Sequence, residues 1–336
     1  MPTDRVPRIP AELTLAPHHT LLHCGTGGRV IGLDPARGIV VDELSAPLAM
    51  LLDELAVPVS RDGLLERAVR AGADRTAAVE LLADLVAAGV VVDASAPSRT
   101  ARRRADAMIL VRGDGPLAVG IAQGLGLAGV GTVVIESSGA VAATDLGTGY
   151  LDGDIGRPRA EAATAAVGRV APAARTTRRT RSVPDLVVLT DALRVAAATA
   201  RSLTASRVDH LHVRLRDGRG VVGPLVLPGR SACLECLELR RAEYDPSWPA
   251  IAAQLDGVRG GADPPTAAAT AGLATAQALA AVDGPAAGPV APAAVDATLE
   301  LDLAAGTLTR RVWAACPGCP CRAAPHARTP ELGRES

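Results

Sequence analysis

Five of the chain's six cysteines fall in two short clusters, Cys233 and Cys236 in "CLEC" and Cys316, Cys319 and Cys321 in "CPGCPC". Cysteines three positions apart form a chelating knuckle, and two knuckles supply the four soft ligands that zinc takes in a tetrahedron. Only two of the three late cysteines are needed, and spacing alone favours Cys316 with Cys319. Pro317, Gly318 and Pro320 suit the tight bends such a knuckle makes. An ion held there closes a long loop, so the expected role of zinc is structural rather than catalytic or redox. Clustered cysteines in a reducing compartment read as metal ligands before disulfides. The sixth, Cys24, stands alone and reads as a buried hydrophobe.

A second group of residues is suited to phosphate. "GDGPLAVG", with Gly113, Gly115, Ala118 and Gly120, follows an apolar run and opens a helical pattern. Glycines there let the backbone approach a phosphate, and the helix N-terminus favours the anion. The competing reading is a tight strand–helix turn with no ligand. Glu136 ends the next apolar run, about 20 residues on, where an acid can hold ribose hydroxyls. Asp191 closes "DLVVLTD" at the strand end where open α/β sheets bind ligands. It can hold magnesium on a nucleotide, or it can cap the helix that follows. His210 and His212 alternate on a strand and read as structural. Trp248 and Trp313 read as core filling near the zinc lobe.

These residues need a framework, and 336 residues with 48% hydrophobic content suffice for two domains with cores of their own. A net charge of −1 argues against a nucleic-acid partner, which asks for a basic face. All 35 basic residues counted as Lys+Arg are Arg, so no mechanism here can use a lysine ammonium. The start shows no basic-then-apolar signal pattern, and no window is long and apolar enough for a membrane span, so a cytoplasmic protein is expected.

Residues 1–95 read as a small α+β unit. A hairpin signal lies in "HTLLHCGTGGRVIGLD" and a third strand in "ARGIVVDEL". Three helical patterns follow Ser45, Ser60 and Asp74, with stops at Gly72 and Gly89, and "VVVDA" closes the unit as a strand. This order matches a winged helix. Its third helix is poor in the basic and amide side chains that read bases, so DNA binding is not expected. The strand edge Ile39, Val40 and Val41, beside the helix carrying Val79 and Leu82, suits capture of an extended peptide. Residues 96–105, polar and Arg-rich, are expected as a linker. From 106 to 330 strands and helices alternate, which predicts a parallel sheet with crossover helices.

The order of Gly-rich turn, "AGVGTVVIES", Asp-ending strand, "CLEC" and late cysteine pair resembles the ThiF-type superfamily, the fold of ubiquitin-activating-like adenylating enzymes, over about residues 106–325. More narrowly, "VVGPLVLPGRSACLECLELRR", "DPSWPAIAAQL" and "W…CPGCPC" are similar to actinobacterial leader-peptide-binding proteins of azole- and azoline-forming (TOMM) peptide pathways. In those the late motif reads W-x-x-H-P-x-C-x-C. Cys316 stands where that His would be, so the resemblance implies Cys319 and Cys321 as the ligands. The N-terminal unit resembles the winged-helix peptide-recognition element of such pathways.

The resemblance also exposes departures. Adenylating members use an acid for ribose, an Asn–Arg pair in the next loop, a Lys on the following helix and an Asp for magnesium. Glu136 and Asp191 match the acids. The loop lacks the Asn–Arg pair, with Asp145 near the Asn position, and Arg159 stands where the Lys would be. Arg does not replace a Lys point charge neutrally, and an Asp beside a triphosphate repels it. Each lost contact is worth about 2–4 kcal/mol in comparable sites. The expectation is therefore a degenerate nucleotide site for which ATP is doubtful. The chain would be a non-catalytic, zinc-stabilised scaffold that binds a precursor's leader and presents its core to a YcaO-type cyclodehydratase. The superfamily's habit implies a homodimer. The alternatives are an active adenylyltransferase acting on a peptide carboxyl terminus and, from another class, a nucleotide-dependent oxidoreductase.

Overall fold

A computed structural model describes residues 9–17, 19–25, 27–34, 38–284 and 291–322. The chain divides into two compact units, Met1–Arg99 and Thr100–Ser336. The part of the expected second domain beyond 322 lies outside the described residues.

The first unit holds strands β1 (Glu12–Leu15), β2 (Leu21–Cys24), β3 (Gly28–Ile31), β4 (Ile39–Val41), β5 (Val59–Ser60) and β6 (Val91–Asp93). Its helices are α1 (Ala46–Glu54), α2 (Arg61–Arg70) and α3 (Arg75–Ala87). The strands make two antiparallel sheets, ordered β5-β1-β6 and β2-β3-β4. Helices α2 and α3 start where the sequence puts their caps. Ser60 Oγ accepts from the Gly63 N–H at 3.1 Å, and Asp74 Oδ1 accepts from the Ala77 N–H at 2.9 Å. Ser45 occupies the cap position of α1 but its side chain makes no capping bond. Pro47, in the first turn, has no N–H to offer. Both expected stops hold: Gly72 and Gly89 follow the helix ends with φ of +102° and +75°, the left-handed turn that glycine makes without strain.

Leu82 of α3 is fully buried with Leu13, Leu52 and Leu64, so it supports the core and offers no surface to a peptide. Ile39 and Val41 pack partly against the same core, as does Val79, while Val40 is exposed. Strand β4 pairs with β3 on one side, and no second partner is found among the described residues. Cys24 is exposed, not buried: β2 is an edge strand with its last three residues facing out.

The stretch expected as a linker is helical, α4 (Ala96–Asp106). Beyond it come β7 (Met108–Arg112), α5 (Pro116–Leu127), β8 (Thr132–Glu136), α6 (Arg159–Val170), β9 (Arg175–Thr177), β10 (Leu186–Thr190), α7 (Ala197–Ala205), β11 (His210–Arg216) and β12 (Arg219–Val226). The chain then forms α8 (Leu234–Tyr244), α9 (Trp248–Ala253), α10 (Pro264–Asp283), β13 (Ala297–Asp302) and β14 (Thr307–Val312). Eight strands make one sheet, ordered β14-β13-β12-β11-β10-β7-β8-β9. Strands β11, β10, β7, β8 and β9 run parallel, and β12, β13 and β14 extend the sheet antiparallel. No helix among the described residues is long and apolar enough to cross a membrane.

Period-two alternation sorts the strands' side chains between two layers. Ile109, Val111, Val133, Val188 and Val213 face a core shared with α5, α6 and α10. Leu110, Val134, Val187 and Leu189 face the layer that holds Cys233 and Cys236. Small residues let α5 and α10 approach closely. A Cβ on Gly124 would lie 2.7 Å from Thr275 Oγ1, and one on Gly120 would lie 3.0 Å from Ala271 Cβ. That contact fixes α5, and with it the N-terminal end that faces the ligand crevice.

Candidate nucleotide site and metal centre

The chain continues from β7 to β8 on one side of the sheet, and enters β10 on the other. The switch point therefore lies between the C-terminal ends of β7 and β10, where doubly wound sheets bind ligands. Both expected elements meet there. Gly113 and Gly115 lie so close to Asp191 that a Cβ on Gly113 would collide with Thr190 Oγ1, and one on Gly115 would lie 2.5 Å from Asp191 Oδ1. The glycines are required by this approach of backbone to carboxylate.

Asp191 has a positive φ of +71°, a conformation an Asp tolerates and few other side chains do. Its carboxylate accepts from the Leu117 N–H at 3.0 Å and from Thr190 Oγ at 2.5 Å, with the Gly115 and Ala118 N–H groups also turned to it. It thus sits at the positive end of α5 and not at the start of the helix that follows β10. Burial nevertheless holds its pKa above the ordinary carboxylate value, the hydrogen bonds working against that shift.

Around this turn the charges are arranged in pairs. Glu136, at the end of β8, is bound by Arg112 through Nε at 2.7 Å and Nη2 at 2.6 Å. Asp114 accepts from Ser137 Oγ at 3.2 Å, Ser138 N at 2.5 Å and Ser138 Oγ at 2.7 Å, which ties the glycine turn to the loop after β8. Arg159, the first residue of α6, donates to Asp145 through Nε at 3.0 Å and Nη2 at 2.8 Å, and to Ser138 O at 2.9 Å. Arg259, which follows α9, also reaches Asp145, at 3.4 Å, and donates to the carbonyl of Asp114. Asp145 was expected to repel a triphosphate, but two guanidinium groups neutralise it.

Arg259 was missed in the sequence. It lies 145 residues from Asp114, and only the pairing of Ala192 with Arg259 brings it to the turn. The same short bridge sets Gly260 N on Asp191 O at 3.3 Å.

The cysteines form the second site. The sulfurs of Cys233, Cys236, Cys319 and Cys321 all lie within 4.8 Å of one another. Cys233 and Cys236 are 3.7 Å apart, Cys233 and Cys319 3.6 Å, and Cys236 and Cys321 3.6 Å. A tetrahedral zinc with Zn–S bonds of about 2.3 Å places its sulfurs about 3.8 Å apart, so the donor set fits zinc. Cys316 is buried but its sulfur faces Glu243 at 3.9 Å, while its N–H donates to Cys236 Sγ at 3.4 Å. The pairing of Cys316 with Cys319 favoured by spacing is therefore not formed by the sulfurs. Cys316 supports a ligand from outside the cluster, as residues around metal sites commonly do.

His210 and His212, read from sequence as structural, are both buried. Trp248 and Trp313 are half-buried and not core filling: they stand 4.8 Å and 5.7 Å from the Arg241 guanidinium.

No family profile and no curated protein matches the chain. Solved structures do. Escherichia coli MccB with ATP aligns over 92% of this chain and 98% of its own, with a TM-score of 0.72 and 13% identity. The microcin C7 biosynthetic enzyme MccB in complex with N-formylated MccA aligns over 93% and 99%, with a TM-score of 0.71 and 12% identity. PaaA aligns over 88% and 98%, with a TM-score of 0.58 and 14% identity.

These similarities correct the functional expectation. The non-catalytic, leader-binding TOMM scaffold serving a YcaO-type cyclodehydratase is overturned, because the similar structures are of a biosynthetic enzyme with ATP and with MccA. Doubt about ATP falls with it, since it rested on counting charges along the chain and missed Arg259. At such identities the likeness establishes architecture: the chain carries the ThiF-type, ubiquitin-activating-like α/β fold, with a four-cysteine cluster capable of holding zinc.

Proposed function

We propose that this protein is an ATP-dependent enzyme that adenylates the carboxyl terminus of a short peptide. The observation that carries the reading is the convergence at the β7–β10 switch point of the Gly113–Gly115 turn, the N-terminal end of α5 and Asp191. MccB structures with ATP and with MccA support the choice of nucleotide and of a peptide.

In the reaction an oxygen of the peptide carboxylate attacks the α-phosphorus of ATP. The bond to the bridging oxygen breaks, and pyrophosphate leaves. The protein's part is to place the two anions together and offset the charge they bring. The α5 N-terminus offers its N–H groups to phosphate. Arg259, held at the mouth of the turn, offers a guanidinium. Glu136 lies where a ribose hydroxyl would bind, exchanging part of its contact with Arg112. Asp191 is the carboxylate that would hold a magnesium ion, whose charge would offset that of the phosphates and favour the ionised form of Asp191. Arg159 acts through Asp145, keeping that loop neutral. The four cysteines, holding zinc, would fix the lobe formed by α8 and the chain after β14. In the first unit, the edge of β4 at Ile39–Val41, which has no second strand partner among the described residues, is where an extended peptide substrate would add as a strand.

The test is exchange of labelled pyrophosphate into ATP, driven by a pool of short peptides with free C-terminal carboxylates. Exchange should appear with that pool and not with its C-terminally amidated counterpart. Asp191→Asn should lower it by about 100-fold or more. Equal exchange with both pools, or none with either, would refute the reading.

A further inference from the structure

The layer opposite α5 contains a basic cavity that the adenylation chemistry does not use. Its volume is about 840 Å³, and it adjoins a second cavity of about 340 Å³. Arg214 of β11, 2% exposed, lines both. It hydrogen-bonds to the ring nitrogen Nδ1 of His212 at 3.0 Å and to the Gly223 carbonyl at 3.2 Å. His212 in turn meets the Ala192 carbonyl through Nε2 at 3.0 Å, so it is neutral, accepting at Nδ1 and donating at Nε2. Among the described residues no carboxylate lies within ion-pairing distance of Arg214. Its neighbours in the cavity have carboxylate partners, some of them shared, since Glu300 also meets Arg311 at 3.9 Å and Glu238 also meets Arg194 at 3.2 Å. Arg241 pairs with Glu238 at 3.3 Å, Arg240 with Glu243 at 2.7 Å, and Arg216 with Glu300 at 3.0 Å.

A buried guanidinium without an anion is costly, because burial removes its hydration and its bonds to His212 and the Gly223 carbonyl bring no negative charge in return. Burial, with the charges of Arg241 and Arg216, pushes the Arg214 pKa down to about 9. A bound anion would relieve that. The walls decide which anion. Both tryptophans of the chain, Trp248 and Trp313, line the cavity, with Tyr244, Leu193, Leu255 and Val312. The lining also carries Asp217 and Asp245, besides Arg216, Arg240, Arg241 and Arg311. One cation without a carboxylate partner, beside aromatic and aliphatic walls and two acids, fits a single negative charge on an apolar body, not a polyphosphate.

We infer that the Arg214 cavity is a binding site for an organic carboxylate with an apolar or aromatic body, held by the Arg214 guanidinium between Trp248 and Trp313. The carboxylate can come from a free small acid or from an acidic residue in an apolar peptide segment. The site is separate from the Gly113–Asp191 crevice, and its occupancy does not depend on ATP.

Because both tryptophans border the cavity, the intrinsic emission of the full chain reports on it. The probes are 3-phenylpropanoate, its amide, inorganic phosphate, and a capped Leu-Glu-Leu peptide with its Leu-Gln-Leu counterpart, all without ATP. A saturable change with either acid, absent with the matching amide and with phosphate, supports the site, and the tighter acid identifies the source. Arg214→Met should weaken that response by about tenfold or more. No saturation with either acid up to about 10 mM would overturn the inference, as would equal response to acid and amide, or to phosphate. The acid–amide comparison uses the unmodified protein, so it decides the matter even if Arg214→Met does not fold. Loss of pyrophosphate exchange with this response intact would refute only the adenylation reading.

Discussion

Replacing Arg159 with Met tests whether Asp145 is neutralised from within the fold. Asp145 is 1% exposed and Arg159 8%, so water does little for either charge. Removing one partner of a buried pair costs about 3–5 kcal/mol, because the other charge is left stranded. Here Asp145 keeps the Ala142 N–H at 2.8 Å and Arg259 at 3.4 Å. The loss should therefore lie near the lower limit, about 3 kcal/mol. Met fills most of the alkyl volume, so lost packing adds little. In Asp145→Asn/Arg159→Met no buried charge is stranded, since the remaining partner Arg259 is 42% exposed, and the double variant should regain at least about 1.5 kcal/mol over the single one. Urea unfolding followed by far-ultraviolet circular dichroism measures both, with an unchanged m-value showing that only stability moved. A loss below about 1 kcal/mol for Arg159→Met would mean that the pair behaves like one at the surface, and the neutralisation argument would fail.

Metal analysis of protein purified without added zinc should find one ion per chain, and Cys236→Ser should abolish it while lowering the melting temperature. Retention of a full equivalent of zinc by that variant would contradict the assignment of the four sulfurs. The raised pKa of buried Asp191 means that the native state holds its proton to higher pH than the unfolded chain does. Stability from this group is therefore full below the ordinary carboxylate pKa and declines as pH rises through the folded one. The melting-temperature advantage of Asp191→Asn, measured without magnesium, should grow from about pH 4 to about pH 8, and an advantage that shrinks over that range would be inconsistent. His212 lies well below the ordinary imidazole pKa through burial and the nearby Arg214 charge, and His210 is lowered chiefly by burial. The unfolded chain thus takes up protons first, and stability held above about pH 6.5 drops by about 1.4 kcal/mol per pH unit per histidine below it. Urea unfolding at about pH 6.5 and 5.5 should show a shallower loss for His212→Gln than for the unmodified chain; an identical loss would count against a buried neutral His212.

Local rules made much of the framework readable. The α/β alternation after residue 106, the caps at Ser60 and Asp74 and the glycine stops each depend on neighbours in sequence. What was not readable depended on distant contacts. Cys24 looked like a core residue because a lone cysteine usually is, but an edge strand turns it outward. Leu82 lies one turn from Val79 on the same face of α3, but the core closes over it fully while Val79 is only partly covered. The late cysteines could not be assigned by spacing, since Cys316 and Cys319 belong to one turn whose first sulfur points to Glu243. The largest miss was functional. Counting lysine and asparagine along the nucleotide loops gave a dead site, whereas Arg259 enters from another part of the chain and pairs with Asp145 beside Arg159. Charge at a site is a property of the fold, and one-dimensional motif matching undercounts it.

Calorimetric titration of the zinc-loaded full chain with ATP, with and without magnesium, tests the nucleotide crevice most directly. The expected result is saturable binding of one ATP per chain that needs magnesium and weakens about tenfold or more in Asp191→Asn. No heat of binding up to several millimolar ATP, or equal affinity in the variant, would contradict it.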